Sequence, residues 1–201
     1  MVMPMYFDRF VLIAIAALAL GQTPSSPPAT SPDPAVERVE KMLEELEARE
    51  QAQDKEKRTY ILTEPDLNAF LAAKIKERPR KDVESLRVEM KDALFTTFIK
   101  IDFDEVEIKG DSMTASLLKA LLRGTQTIEV DGRLQTENGK GTYLVERATL
   151  NGMPLPASLV NSILSSVGKR QDPPFDPTEQ FDLPYGVKTI TVTLGKATLE
   201  T

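Results

Sequence analysis

Apolar residues recur at every second position in five stretches of the chain. Leu86, Val88 and Met90, for example, alternate with charged residues, which is the pattern of a strand with one buried face. An Asn138-Gly139 step, which readily takes the positive φ angles of a tight hairpin turn, joins two of these stretches. The five predicted strands cover residues 84–91, 97–104, 127–136, 140–150 and 187–194.

Three further stretches repeat their apolar residues every three or four positions, as amphipathic helices do. The first opens with Thr63-Glu64-Pro65-Asp66, which supplies a capping hydroxyl, a first-turn proline and two carboxylates suited to a helix start. It ends near Arg78, because the following proline disfavours helix. The other two helices are predicted over 111–124 and 156–167. Helices inserted between hairpins predict an α+β domain over residues 60–201, with an antiparallel sheet of about five strands packed on two or three helices.

Residues 35–58 are highly charged and predict a separate N-terminal helix. Its apolar residues recur at alternating steps of three and four: Val36, Val39, Leu43 and Leu46. A narrow seam of this kind suits contact with another helix. Two interpretations stay open: residues 36–50 bind another envelope protein or a second copy, or the helix is a solvated element that docks lightly or stands off as a stalk.

The N-terminal part has the composition of an export signal followed by a spacer. Residues 10–20 are an apolar run, shorter than the roughly 20 residues that cross a bilayer and suited to a secretory signal. We therefore predict a signal peptide over residues 1–21, with an inner-membrane anchor formed by residues 10–20 as the alternative. Residues 22–34 contain five prolines among Ser and Thr, which predicts a disordered spacer.

The composition excludes several classes of function. The 201 residues include no Cys, His or Trp, which removes disulfides, thiolate or imidazole metal sites and the Ser-His-Asp and Cys nucleophile systems. An exported protein without Cys points to the bacterial periplasm. The net charge of −6 opposes nucleic-acid binding. We predict a non-enzymatic protein with no cofactor and no metal, whose membrane contact is peripheral or through its N-terminal segment.

Two segments resemble motifs of small exported bacterial proteins. Residues 62–71, LTEPDLNAFL, are similar to an L-T-E-x-x-L-N-A-x-L helix opening, and residues 181–187, FDLPYGV, are similar to an L-P-x-G entry to a last strand. Some proteins of this kind resemble the tubular lipid-binding superfamily. The resemblance implies a helix packed in a curved antiparallel sheet, with an apolar gap that holds an acyl chain.

This resemblance turns two residue sets into candidate sites. The apolar faces of the first and last domain helices would form the wall of a lipid or apolar-ligand site: Leu67, Phe70, Leu71, Ile75, Leu159, Ile163, Leu164 and Val167. The densest basic cluster of the chain would receive anionic headgroups: Lys74, Lys76, Arg78, Arg80 and Lys81. The alternative is that the first set fills a compact core and the second is a solvated helix end.

Two functions follow from these alternatives. The first is an exported domain that binds a lipid or another apolar small molecule in the bacterial cell envelope. The second is an envelope protein-interaction or scaffold domain with a closed core.

Overall fold

The computed structural model of the protein describes residues 33–77, 83–105, 123–169 and 176–201. These residues form three helices: α1 (Pro34–Gln51), α2 (Glu64–Glu77) and α3 (Ala157–Gly168). They also form nine strands: β1 (Thr59–Thr63), β2 (Val83–Lys91), β3 (Leu94–Asp102), β4 (Thr125–Glu137), β5 (Lys140–Leu150), β6 (Met153–Pro154), β7 (Phe181–Asp182), β8 (Thr189–Thr193) and β9 (Lys196–Glu200). A single turn of 3-10 helix, Phe103–Glu105, follows β3.

The larger sheet has six antiparallel strands in the order β2-β3-β4-β5-β6, with β7 also paired to β5. Side chains alternate along its strands, so that Val88, Ile99 and Val130 are buried on one face while charged residues occupy the other. The sheet is not closed. The predicted α+β class is confirmed, and the Asn138-Gly139 turn has positive φ angles at both residues, as predicted.

A second sheet has three antiparallel strands in the order β1-β9-β8. The sequence predicted about five strands in all and missed β1, β6, β7 and β9. β6 and β7 have two residues each, too few to show a period. β1 and β9 have five residues each. Among the described strands, β1 finds its only partner in β9, far away in sequence, whereas β9 also forms a tight hairpin with β8 that the sequence analysis did not extend past Leu194.

Several predicted boundaries move. The charged helix ends at Gln51, seven residues before the predicted end at residue 58. Between Gln51 and β1 the chain forms neither helix nor strand. β3 ends at Asp102, two residues before the predicted end, because the chain turns there into 3-10 helix. The predicted signal peptide, most of the spacer and most of the helix over 111–124 lie outside the described residues.

Helix α1 packs on the domain through its apolar stripe. Val36, Val39, Leu43 and Leu46 are buried and belong to the same hydrophobic core as α2 and the strands. Leu46 has no exposed surface. Within the described residues, the stripe that suggested an external partner is therefore occupied by the chain itself.

Candidate functional site

The α2 part of the predicted apolar wall is packed into the core. Leu67 is 6 % exposed, and Phe70 and Leu71 are each 1 % exposed. α2 lies between α1 and β2, its main packing partners, and Ile75 is partly buried at its end. At α2, the residues of the predicted wall therefore pack against α1 and β2.

The α3 part of the wall lies elsewhere on the sheet. α3 packs mainly on β5, where Leu164 is buried and Leu159 is half-buried. The side chains of Ile163 and Val167 lie outside the described part. Since β3 and β4 separate β2 from β5 in the sheet, the two helices rest on different strands, which sequence periodicity could not reveal.

Two polar side chains of α2 cover the free edge of β2. Asn68 donates to the Val88 carbonyl and accepts from the Val88 N–H, both at 2.8 Å. The Glu64 carboxylate accepts from the Met90 N–H at 2.7 Å. These side chains take the place of a neighbouring strand and satisfy backbone groups that would otherwise be unpaired. Glu64 and Asn68 are the E and N of the LTEPDLNAFL segment, so its polar positions have a structural role that sequence reasoning missed.

The basic cluster is only partly described, and its first lysine, Lys74, forms ion pairs with two carboxylates. Lys74 Nζ lies 2.9 Å from Glu40 Oε1 of α1 and 2.9 Å from Glu77 Oε2. Burial lowers the pKa of Lys74, but these hydrogen bonds outweigh it and raise the pKa above its ordinary value. Lys76 is exposed, and Arg78, Arg80 and Lys81 lie outside the described residues. A lysine held between two carboxylates is poorly placed to receive an anionic headgroup.

Ion pairs and hydrogen bonds hold the C-terminal end of α1 against β1. The buried Arg49 side chain donates to Asp54 Oδ2 at 3.0 Å, to the Tyr60 hydroxyl at 3.2 Å and to the Glu56 carbonyl. The Tyr60 hydroxyl donates to Glu45 at 2.9 Å. At the other end of α1, Arg38 pairs with Asp66 of α2 at 2.5 Å and lowers the Asp66 pKa. Both ends of α1 are thus fixed to the domain.

Asp176 joins the end of α3 to the segment that follows. Its carboxylate accepts from the Ser165 hydroxyl and from the Thr178 amide and hydroxyl, the last two at 3.0 and 2.6 Å, and Lys169 Nζ lies 3.4 Å away. Burial raises the pKa of Asp176, but these donors outweigh it and lower the pKa to about 2. So weak a base has little capacity to activate Ser165 as a nucleophile. We call this set of contacts around Asp176 a clamp, because it holds the end of α3 against the segment that follows.

The described residues offer no metal centre built from three or more carboxylates. In the same part of the chain, no helix combines the length and apolar character that crossing a membrane requires. No protein-family model matches the chain, and neither a curated protein nor a solved structure is detectably similar to it.

Proposed function

We propose that the chain is a non-enzymatic protein-interaction domain of the bacterial cell envelope. The observation that carries this proposal is the filled packing around α2. Phe70 and Leu71, which would line an acyl-chain site, are enclosed between α1 and β2. This packing fills the predicted acyl-chain site at α2 and favours the surfaces of the domain as the place for recognition.

Export to the periplasm is part of the same proposal. It rests on the short apolar run at residues 10–20, on the proline-rich segment that follows and on the absence of Cys. The spacer would separate the domain from a cleaved signal or from an inner-membrane anchor, and so give the domain reach to a partner.

Site-specific photo-crosslinking in living bacteria tests the interaction function. The full chain, expressed from Met1, carries a photoreactive amino acid at Glu44 on the exposed side of α1 or at Leu144, a 41 % exposed side chain on β5. We expect discrete protein adducts at one or both positions. Native mass spectrometry of the purified chain then reads its mature mass and anything bound to it. The proposal is contradicted if no protein adducts form at either position and the purified chain releases a bound amphiphile.

The second candidate function is binding of a lipid or other apolar small molecule beneath α3. It is favoured by one observation: α3 carries an apolar face yet packs mainly on the single strand β5. If this function is correct, the purified chain releases an amphiphile. Leu164→Asp then abolishes uptake of the amphiphile by the folded domain, whereas Leu67→Asp reduces uptake only because the domain unfolds. Denaturation curves of both variants separate these effects.

A further inference from the structure

Sheet edges present unpaired backbone groups, and hydrogen bonds from other parts of the described chain reach three of the four edges. The β2 edge is covered by Asn68 and Glu64. Along β5, β6 and β7 pair with the strand, and Pro177 accepts from the Tyr143 N–H at 3.2 Å. Unpaired edges invite pairing with other chains, so covering them is the common solution in native proteins.

The β8 edge is covered by the turns of the larger sheet. Thr136 Oγ1 accepts from the Ile190 N–H at 2.8 Å and donates to the Ile190 carbonyl at 3.1 Å. The Ala93 N–H donates to the Val192 carbonyl at 3.0 Å. Both outward backbone groups of Ile190 and the outward carbonyl of Val192 therefore have partners inside the chain.

The fourth edge, β1, is different. Two backbone bonds flank its pairing with β9: Thr201 N–H to the Arg58 carbonyl at 3.0 Å, and Glu64 N–H to the Gly195 carbonyl at 2.8 Å. Because hydrogen-bonded pairs alternate in an antiparallel ladder, Tyr60 and Leu62 bond to β9, and Ile61 directs its N–H and carbonyl outward. No hydrogen bond from the described residues reaches these groups, and the Ile61 side chain is 59 % exposed.

The sequence along this open edge is symmetric. Thr59, Ile61 and Thr63 share the outer face of β1, and the same three residue types occur in the same order when the strand is read backwards. In an antiparallel pair centred on Ile61, the outward N–H and carbonyl of Ile61 would meet those of Ile61 in the second copy, and Thr59 would oppose Thr63. Such a two-fold pair is self-complementary.

We propose that β1 pairs with β1 of a second copy of this chain, in antiparallel register about Ile61. The proposal rests on the interaction function above and names the partner of one surface. Two five-residue strands form an interface well below the roughly 1,200 Å² of stable complexes, so the dimer is weak and depends on protein concentration.

Because the chain has no Cys, single-cysteine variants of the full-length protein in mild detergent test the pairing directly. Ile61→Cys should form an interchain disulfide, since opposed hydrogen-bonded residues have Cα atoms about 5.5 Å apart, within disulfide range. Thr59→Cys is the control for register, because its copies would lie about 13 Å apart along the strands. Thr191→Cys is the matched control on β8, exposed on the same face of the same sheet.

We expect Ile61→Cys to give about tenfold more disulfide dimer than either control, because only its sulfurs come within bonding range. Sedimentation should show a concentration-dependent dimer that Ile61→Lys abolishes and Thr191→Lys retains, with unfolding curves confirming that both variants are folded. Equal cross-linking of the three cysteine variants, or a protein that stays monomeric at every concentration, overturns the proposal. A monomeric chain that still gives photo-adducts at Glu44 or Leu144 removes the self-pairing and leaves the interaction function standing.

Discussion

The ring of Tyr143 on β5 lies directly over Gly132 on β4. A Cβ atom placed on Gly132 would come within 2.2 Å of the ring and its hydroxyl. Tyr143 is buried, its hydroxyl hydrogen-bonds to Thr97, and burial raises its pKa. An aromatic ring over a strand glycine shields the backbone there and helps to fix the register of the two strands.

Gly132→Ala is therefore expected to destabilise the domain by about 1–3 kcal/mol, the usual cost of overpacking. The φ angle of Gly132 is not in the left-handed region, so the backbone itself accepts alanine and the opposition comes from the ring. Urea denaturation measures the loss. In a Tyr143→Ala background the same change should have almost no further effect, and an undiminished loss there would contradict this account.

Asn68→Ala should destabilise the domain by about 1–3 kcal/mol, because it leaves the N–H and carbonyl of Val88 without their partner. Hydrogen exchange at the Val88 amide should accelerate in this variant. Lys76→Ala, an exposed change on the same helix, is the matched control and should alter neither quantity. Unchanged protection at Val88 would show that Asn68 does not cover the β2 edge.

Leu46→Ala tests whether α1 folds as part of the domain. Leu46 has no exposed surface, so its truncation is expected to lower the free energy of unfolding by about 2–5 kcal/mol. Glu44→Ala, exposed on the same helix, should have little effect. If α1 were a detached stalk, near-UV circular dichroism and denaturation of the domain would be identical in the two variants.

The clamp at Asp176 predicts a pH dependence. A carboxyl whose pKa falls to about 2 on folding contributes stability that is complete above its unfolded pKa of about 3.9 and is lost as pH falls toward 2. Asp176→Asn should therefore be less stable than the parent at pH 6, and the difference should shrink as pH falls from 4 toward 2. Other carboxyls with lowered pKa, such as Asp66, remain in both proteins, so the difference isolates Asp176. A difference that stays constant over this range would be contrary to the prediction.

The sequence predicted the parts of the fold that carry their own periodic pattern. The α2 helix was predicted with its Thr63 cap, and the structure places the Asp66 N–H 3.3 Å from Thr63 Oγ1. The long hairpin of β4 and β5 was likewise evident from alternation and from the Asn138-Gly139 turn. In these elements, residues close together in sequence determine the structure, so the local sequence pattern is enough to predict it.

What the sequence could not supply was the pairing of distant segments. The stripe of α1 suggested a partner, but apolar spacing cannot say whether that partner belongs to the same chain. Asn68 looked like an ordinary polar position on a helix, because its role exists only where α2 meets β2. The candidate ligand wall had the same difficulty: residues of like character on α2 and α3 rest on different strands.

The central position of β9 in the smaller sheet also has a consequence for folding. β1 and β8 are joined only through β9, so β1, made early in synthesis, has no strand neighbour until nearly all the described chain has been produced. Contacts between segments so far apart in sequence form slowly, because a long loop must close before they contribute. During that interval the apolar residues of β1 stay accessible to solvent.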